Sequence, residues 1–360
     1  MLVAILIRTA RQRSHMDRTD LLACTLVRQH VTDRAPKRTV VSDLCGLQAQ
    51  FAQAPCDALR IRANDFTPDT WNDGLVKIWS HRGTMHVVRA DELGLYLSAR
   101  DIRGPWVETG WGISPADSAR WSAFIREQVD SGIDGRDGLK QACRSAGMDD
   151  DLLTRIFHGW GGLLKEMCNR GLIAYRPGTE KRFMLPPPVT WMDRDEARTL
   201  LALRYFQHYG PATAGDCAAF LGYRVAEVRE LIRRIRPQLA ETLVNGTSYL
   251  YAGELDDAGT RVPACVLLAG FDQLVLGYRD RSRIIDDRDL KLVTNIAGIV
   301  FPIVLYRGRA RARWKRTGST VTITPFRELS PTAQRIIEAR ARRLFAGECI
   351  RVMFAPPLCR

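Results

Sequence analysis

The order of the predicted elements is the feature that most constrains the fold of this chain. Two or three amphipathic helices are followed by two short strands joined by a tight turn, and this order occurs three times. Each turn contains a glycine, which can adopt a positive φ, within Arg82-Gly83-Thr84, Pro177-Gly178-Thr179 and Asn245-Gly246. Helices followed by a hairpin are typical of a winged helix. The sequence therefore predicts an α+β protein that contains three tandem winged-helix units.

The pattern changes at Cys265, where strands begin to dominate. Predicted strands cover Cys265–Gly270, Gly298–Tyr306, Arg309–Lys315 and Ser319–Phe326, and a last helix begins at Ser330-Pro331. This order predicts a β-rich C-terminal domain that is closed by a helix.

These patterns divide the chain into five parts. We expect a disordered extension at 1–16, winged helix 1 at 17–113, winged helix 2 at 114–190, winged helix 3 at 191–262 and the β-rich domain at 263–360. Within these parts, Ser114 before Pro115 is a helix start signal, and single helices are predicted over Leu152–Asn169 and Val225–Leu239.

The charge of the chain indicates a polyanionic partner. Lys and Arg number 53 against 40 Asp and Glu, and only seven of the 53 are lysines. Arginine binds phosphate through two parallel hydrogen bonds, which lysine cannot do. Double-stranded DNA is therefore the expected partner, although a cationic surface that only maintains solubility is the alternative.

Cysteine spacing and apolar runs favour a cytoplasmic protein without a metal. The nine cysteines are scattered singly, with no pair or histidine at metal-ligand spacing. The apolar run Leu2–Ile7 is too short for a membrane span or for the core of a signal peptide. We expect a monomer with free thiols, no metal, no cofactor and no membrane contact.

Two neutral amides stand out in the apolar segment from Leu44 to Pro55. Gln48 and Gln50 are two residues apart, so their side chains point to the same side only if the backbone is extended or irregular. Gly46 and Pro55 favour such an interruption of the helix. The alternative is structural, with one glutamine bound to a buried carbonyl and the other solvated.

Three segments resemble the AlkZ-type (azinomycin-resistance) DNA glycosylase family. They are Gln48-Ala49-Gln50, the stretch from Trp79 to Val88 that reads WSHRGTMHVV, and the stretch from Phe271 to Ser282 that reads FDQLVLGYRDRS. The resemblance covers most of residues 17–350, and the two longer segments are its specific part. Ala49 is smaller than the aliphatic residue often found between the two glutamines of the family.

The resemblance implies a C-shaped protein of three winged helices and a C-terminal β domain, with Gln48 and Gln50 as catalytic residues. It also places Arg82 and His86 near the same cleft, Arg82 as a ligand of a phosphate beside the lesion. For His86, a packed strand residue is the alternative. Asp272, in a predicted strand Leu267–Leu276, is either near the pocket or in a salt bridge with Arg279 or Arg281.

A row of cationic residues follows later in the chain. Arg309, Arg311, Arg313 and Lys315 alternate with apolar residues, so a strand projects all four from one face. We expect this row, together with Arg279 and Arg281, to bind DNA phosphates. A solvated strand edge that is kept positive against aggregation is the alternative.

The sequence thus predicts a monofunctional DNA glycosylase that hydrolyses the N-glycosidic bond of bulky or interstrand-crosslinked N7-alkylpurine nucleotides. A glutamine cannot take a proton at neutral pH, so it helps only a reaction with a good leaving group, and a cationic N7-alkylpurine is one. No lysine near Gln48 is expected to form a Schiff base. The alternative is a non-catalytic winged-helix transcriptional regulator.

Overall fold

The computed structural model describes residues 15–100, 110–159, 161–178, 180–255 and 262–359. The chain divides into two compact units, the first formed by Met1–Leu44, Asp57–Phe66 and Ala202–Arg360 and the second by Cys45–Cys56 and Thr67–Leu201. Among the helices of the described ranges, none has both the length and the hydropathy needed to cross a bilayer.

Helices supply most of the secondary structure before residue 240. The α-helices are α1 Arg18–Arg28, α2 Lys37–Asp43, α3 Gln53–Arg62, α4 Leu93–Ser98, α5 Pro115–Asp130, α6 Arg136–Ser145, α7 Asp150–Ile156, α8 Gly162–Asn169, α9 Arg194–His208, α10 Ala214–Leu221, α11 Val225–Ile235, α12 Gln273–Leu276, α13 Leu290–Val293 and α14 Pro331–Leu344.

The strands of the described ranges form three sheets. They are β1 His15–Met16, β2 Leu47–Gln48, β3 Leu75–Trp79, β4 Met85–Arg89, β5 Ala174–Tyr175, β6 Phe183–Met184, β7 Leu239–Val244, β8 Thr247–Ala252, β9 Cys265–Leu268, β10 Ile303–Tyr306, β11 Arg309–Thr317, β12 Thr320–Pro325 and β13 Arg351–Phe354. The sheet orders are β1-β7-β8, β13-β12-β11-β10-β9 and β2-β4-β3-β5-β6. The predicted α+β class is confirmed.

The second unit contains the sheet β2-β4-β3-β5-β6 and a helical core. Its core is formed by buried residues of α5 to α8, among them Trp121 and Met167, with Phe183 of β6 packed on them. The hairpin β3–β4 pairs with β2 on one side and with β5 on the other. This sheet holds β2, and therefore the segment with the two glutamines, against β4.

The first unit contains the other two sheets. Helix α14 packs Ile337 and Ala341 on the inner residues of β9 to β13, including Trp314 and Ile323. The sheet β1-β7-β8 includes His15 and Met16, so these two residues of the segment 1–16, which was expected to be disordered, form a strand. The rest of that segment, 1–14, lies outside the described residues.

Several local predictions are confirmed. Ser114 caps α5, with its side chain accepting a hydrogen bond from the backbone N–H of Asp117. Strands β7 and β8 pair across Asn245-Gly246, and both of these residues have positive φ, at 49° and 77°.

Two predicted helices are shorter in the structure. The predicted helix Leu152–Asn169 is broken between α7 and α8, because Gly162 has a φ of 67° and a Cβ there would lie 2.4 Å from the carbonyl oxygen of Arg155. The predicted helix Val225–Leu239 ends at Ile235, where a 3-10 turn with Pro237 leads into β7.

Candidate active site

The segment that carries the two glutamines leaves α2 by a left-handed turn. Cys45 and Gly46 have φ values of 53° and 82°, and a Cβ on Gly46 would approach the Cγ1 atom of Val88 to 2.9 Å. The turn therefore requires glycine at position 46, both for its φ and for the close approach to β4. It ends the helix and starts the extended strand β2.

Strand β2 gives the start of the glutamine segment an extended backbone. In an extended backbone, residues two apart point to the same side. Gln48 lies opposite His86 in the antiparallel pair β2–β4, and the backbone N–H of Ala49 donates to the Met85 carbonyl at 2.7 Å. Leu47 and Ala49 are each 1% exposed, whereas Gln48 is 6% exposed and Gln50 is exposed. The predicted interruption of the helix is confirmed.

Arg82 contacts Gln48 directly. Its Nη2 atom donates to Oε1 of Gln48 at 2.8 Å, from a turn in which Arg82 itself has a φ of 56° and Gly83 a φ of 65°. This bond fixes which end of the Gln48 amide is the oxygen, and it leaves the second lone pair of Oε1 for another donor. Sequence analysis predicted a phosphate ligand at Arg82 and missed this contact.

Two buried histidines, His81 and His86, are neighbours of Arg82 and Gln48. His81 contacts the Cys45 carbonyl through Nε2 at 2.7 Å, and its ring meets that of His86 edge-on, with the centroids 4.7 Å apart. Burial lowers the pKa of His81 to about 4, and the charge of Arg82 acts in the same direction. Burial, His81 and Arg82 together hold the pKa of His86 well below 6.5. Both rings are therefore neutral at pH 7.

His86 is fully buried in β4, which is the packed environment given above as the alternative for this residue. Its Nδ1 atom contacts the Thr84 carbonyl at 3.2 Å. His81 was not singled out in the sequence. The available signal was its position in the sequence, directly before the turn that Arg82 and Gly83 form.

Lys77 of β3 and Lys165 of α8 lie on the face of the sheet opposite to Gln48. Residues paired across an antiparallel sheet share a face, so Gln48 shares one with His86 and Ile78, whereas Lys77 is paired with Val87 and projects from the other face. Lys165 lies over the Trp79 ring at 4.7 Å, and Trp79 shares the face of Lys77. Burial, with the charge of Lys181, lowers the pKa of Lys77.

Asp272 has a different environment from the predicted one. The strand ends at Leu268, and Asp272 caps α12 by accepting from the N–H of Leu274 at 2.9 Å. Its salt-bridge partner is Arg62, at 2.6 and 2.9 Å, and both side chains are 0% exposed. The predicted strand Leu267–Leu276 and the pairing with Arg279 or Arg281 are therefore wrong. The fixed bidentate geometry of an arginine two hundred residues away in the chain decides this contact.

The cationic row lies on one face of β11, as its alternation predicted. Ala310, Ala312 and Trp314 are buried on the other face. However, the arginines have internal partners. Arg309 and Arg311 both bind Asp286, Arg311 at 2.7 Å, and Arg313 lies over the Phe301 ring at 3.8 Å. Burial raises the pKa of Asp286, but the two arginines hold it below its ordinary value.

Three further predicted DNA ligands differ in exposure. Lys315 and Arg279 are exposed, and Arg281 is half-buried. Arg279 and Arg281 line a cavity of about 200 Å³ together with Asp280, Asp286 and Asp287. The cationic row and this cavity thus combine cationic and acidic groups. DNA binding by the four residues of the row and by Arg279 and Arg281 stays a prediction.

A family model of AlkZ-like DNA glycosylases matches residues 41–346, which include the glutamine segment, both histidines and the cationic row. The chain belongs to the AlkZ-like DNA glycosylase family. It is an enzyme, a DNA glycosylase that hydrolyses N-glycosyl bonds, and the resemblance noted in the sequence is confirmed. Membership disfavours the alternative of a non-catalytic regulator.

A sequence match and a structure match from Streptomyces sahachiroi each cover most of the chain. An interstrand DNA cross-link repair glycosylase is 28% identical over 326 residues, which cover 84% of this chain and 88% of that protein. The structure of the DNA glycosylase AlkZ has a TM-score of 0.75 at 23% identity and covers 95% of this chain and 100% of that one. The structural match shows a shared fold.

Proposed function

We propose that this DNA glycosylase removes N7-alkylated purines from double-stranded DNA, including bulky lesions and interstrand crosslinks, with Gln48 and Gln50 as catalytic residues. The observation that carries the proposal is that Gln48, which is oriented by Arg82, lies opposite a histidine that is neutral at pH 7. The match to an interstrand cross-link repair glycosylase supports crosslinks among the substrates.

Amides and neutral histidines, the polar groups described at Gln48 besides Arg82, do not protonate a leaving group at pH 7, so they require a base that leaves without protonation. In an N7-alkylated purine nucleotide, the base carries a positive charge while it is attached to the sugar. When the C1′–N9 bond breaks, its electron pair neutralises the base, and positive charge develops on the sugar. Such a lesion needs positioning and electrostatic stabilisation, which amides supply.

Gln48 and Gln50 provide these two contributions in the proposed mechanism. Oε1 of Gln48 accepts one hydrogen bond from Arg82, and its second lone pair accepts from a water molecule. In the proposed mechanism, the exposed Gln50 amide contacts the sugar and the water. The water oxygen then bonds to C1′, and its proton passes to solvent.

The proposed reaction ends with hydrolysis, because a lyase step needs an amine at C1′. Lys77, whose lowered pKa would suit that chemistry, projects from the face of the sheet opposite to Gln48. Lys165 is held over Trp79 on that same opposite face. This placement supports a monofunctional enzyme.

We also propose that 17–113, 114–190 and 191–262 are winged-helix units and that 263–360 is the β-rich domain. The support is that the hairpins β3–β4, β5–β6 and β7–β8 each follow a group of helices. For DNA binding, we propose contacts to phosphates from Lys315, Arg313 and Arg279, with Arg309 and Arg311 contributing less because Asp286 binds both.

The test is base release by the purified full chain from three duplexes, one with N7-methylguanine, one with an N7-linked interstrand crosslink and one unmodified. We expect release from the first two only, and borohydride should trap no covalent complex. The Gln48→Ala/Gln50→Ala double variant is the control for contaminating glycosylases. Release of neutral bases at a similar rate would contradict the cationic-lesion assignment, and a trapped complex would contradict the monofunctional one.

A further inference from the structure

Three metal-ligating side chains of the first unit meet where three helices end. Asp43 is the last residue of α2, His208 is the last residue of α9, and His30 follows α1 by two residues. One ligand atom from each lies within 4.8 Å of the other two. None of the three has a role in the reaction proposed above.

The carboxylate of Asp43 faces both rings. Its Oδ2 atom is 2.8 Å from Nε2 of His30, and its Oδ1 atom is 3.4 Å from Nε2 of His208. The ring centroids are 6.1 Å apart. The exposed fractions of the three side chains are 14%, 20% and 23% for His30, Asp43 and His208, so the cluster is shielded but reachable from solvent.

The other nitrogen of each ring faces a backbone carbonyl. Nδ1 of His30 is 3.3 Å from the Asp33 oxygen, and Nδ1 of His208 is 3.4 Å from the Arg28 oxygen. A carbonyl only accepts hydrogen bonds, so a neutral ring that donates to it carries its proton on Nδ1 and keeps a lone pair on Nε2. This is the arrangement that orients histidine ligands in metal sites.

With Nδ1 protonated, each neutral ring presents an Nε2 lone pair to a carboxylate oxygen, which also only accepts. Two ring nitrogens and a carboxylate that converge in this way share a cation, which is either a proton on a ring nitrogen or a metal ion. The helix ends strengthen this requirement, because the C-terminal end of a helix carries a partial negative charge. Arg28, the nearby guanidinium, donates to the carbonyls of Phe206, Gln207, Ala252 and Glu254 instead.

The backbone of His30 is also unusual. Its φ is 59°, in the left-handed region where glycine or asparagine normally ends a helix. A β-carbon is unfavourable there, and such strain occurs preferentially at functional positions.

We propose that His30, Asp43 and His208 bind one divalent transition-metal ion of the zinc type, with water at a fourth position. Imidazole and carboxylate suit zinc, whereas magnesium and calcium prefer sites made of oxygen ligands. Ligands at about 2.0–2.1 Å from a tetrahedral ion lie about 3.3 Å apart. The 3.4 Å between His208 and Asp43 is close to this separation, whereas the 2.8 Å between His30 and Asp43 has to lengthen when the ion binds. The site was not expected from the sequence, because its ligands come from three distant segments.

The experiment uses the full chain with Cys349→Ser and Cys359→Ser, since these two are the cysteines that are not buried. After removal of metal with a chelator, Zn²⁺ binding is measured by calorimetry and Co²⁺ binding by visible absorption. We expect one ion per chain. Asp43→Asn and His208→Gln should each weaken Zn²⁺ binding at least about tenfold. The matched control is His158→Gln, a histidine outside the cluster, and it should bind as the parent does.

X-ray absorption at the zinc edge of the parent protein tests the site without any substitution. We expect nitrogen and oxygen neighbours at about 2.0–2.1 Å with imidazole scattering, and no sulfur at about 2.3 Å. The proposal is overturned if the parent binds no Zn²⁺ at micromolar concentration, if the spectrum shows sulfur ligands, or if folded Asp43→Asn binds as tightly as the parent. In each case the cluster is a hydrogen-bond network only.

Discussion

The segment from Gln48 to Gln50 and the strand β11 follow the same rule, with polar side chains at every second residue and buried apolar residues between them. They differ in what the polar groups contact. Gln48 accepts one hydrogen bond from Arg82, and Gln50 is exposed, whereas Arg309 and Arg311 share the carboxylate of Asp286. Alternation therefore determines which face a side chain occupies, and the partners on that face determine how much of it is available to a ligand.

The largest effect should come from the glutamines. Gln48→Ala and Gln50→Ala should each slow single-turnover excision of N7-methylguanine by about 10²–10³-fold, the effect of removing one preorganised polar contact to a transition state. Duplex affinity should change only a few-fold, because the proposed mechanism assigns these amides to the transition state and not to the DNA backbone.

Gln53→Ala is the matched control, since Gln53 is an exposed glutamine at the start of α3, three residues after Gln50. It should excise at nearly the native rate. If Gln48→Ala and Gln50→Ala also keep the native rate, the catalytic assignment is wrong. The proposed difference in function between the segment Gln48–Gln50 and strand β11 then disappears.

A smaller loss is expected at Arg82. Arg82→Ala should slow excision about 10- to 100-fold, because the amide of Gln48 loses the donor that orients it. Arg82→Lys should recover part of the rate, since lysine can still donate one hydrogen bond. Single-turnover rates and the salt dependence of duplex binding are both measured. A fall in the salt slope with an unchanged rate would indicate the phosphate contact predicted from the sequence instead.

The cationic row should affect binding more than chemistry. Each lost phosphate contact lowers the slope of log affinity against log salt by about 0.9, so neutralising Arg309, Arg311 and Arg313 together would lower it by at most about 2.7. We expect less, because Asp286 binds two of the three. Lys315 is exposed, so Lys315→Gln should lower the salt slope by about 0.9, nearly the full value expected of one phosphate contact.

Asp286→Asn sharpens this comparison, because it releases Arg309 and Arg311 and should increase both duplex affinity and the salt slope. Excision at saturating enzyme should stay near the native rate in all these variants. If Asp286→Asn weakens binding and Arg309→Gln stops excision, the row belongs to the lesion pocket or to the fold.

The smallest effect is expected from pH. His81, with a pKa lowered to about 4, and His86, whose pKa is also lowered, are neutral throughout pH 6–8, so the excision rate on a cationic lesion should be nearly constant there. Both histidines gain protons more readily in the unfolded chain, so stability is full above pH 6.5 and falls as the pH drops toward 4. Single-turnover rates and thermal melts over this range test both statements, and a bell-shaped rate profile would reveal an acid or base outside this site.

Local signals in the sequence were sufficient for the elements that depend on near neighbours. The cap at Ser114, the Asn245-Gly246 hairpin and the glycine that turns α2 into β2 each follow from backbone geometry within a few residues. The same holds for the faces of β2 and β11, because a strand alternates whatever it packs against. The two glutamines were singled out by this alternation together with the motifs that the family shares, and their catalytic role stays a prediction.

Partners distant in the sequence were decided only by the tertiary structure. Arg62 is 210 residues from Asp272, His208 is 165 residues from Asp43, and Asp286 reaches β11 from a separate segment. A charged side chain binds an opposite charge or a carbonyl that is close in space. Sequence spacing holds no information about that distance once the chain has turned back on itself. Composition and periodicity thus determined the class of the fold and the faces of its strands, while packing decided which polar groups remain available for DNA, for chemistry and for a metal ion.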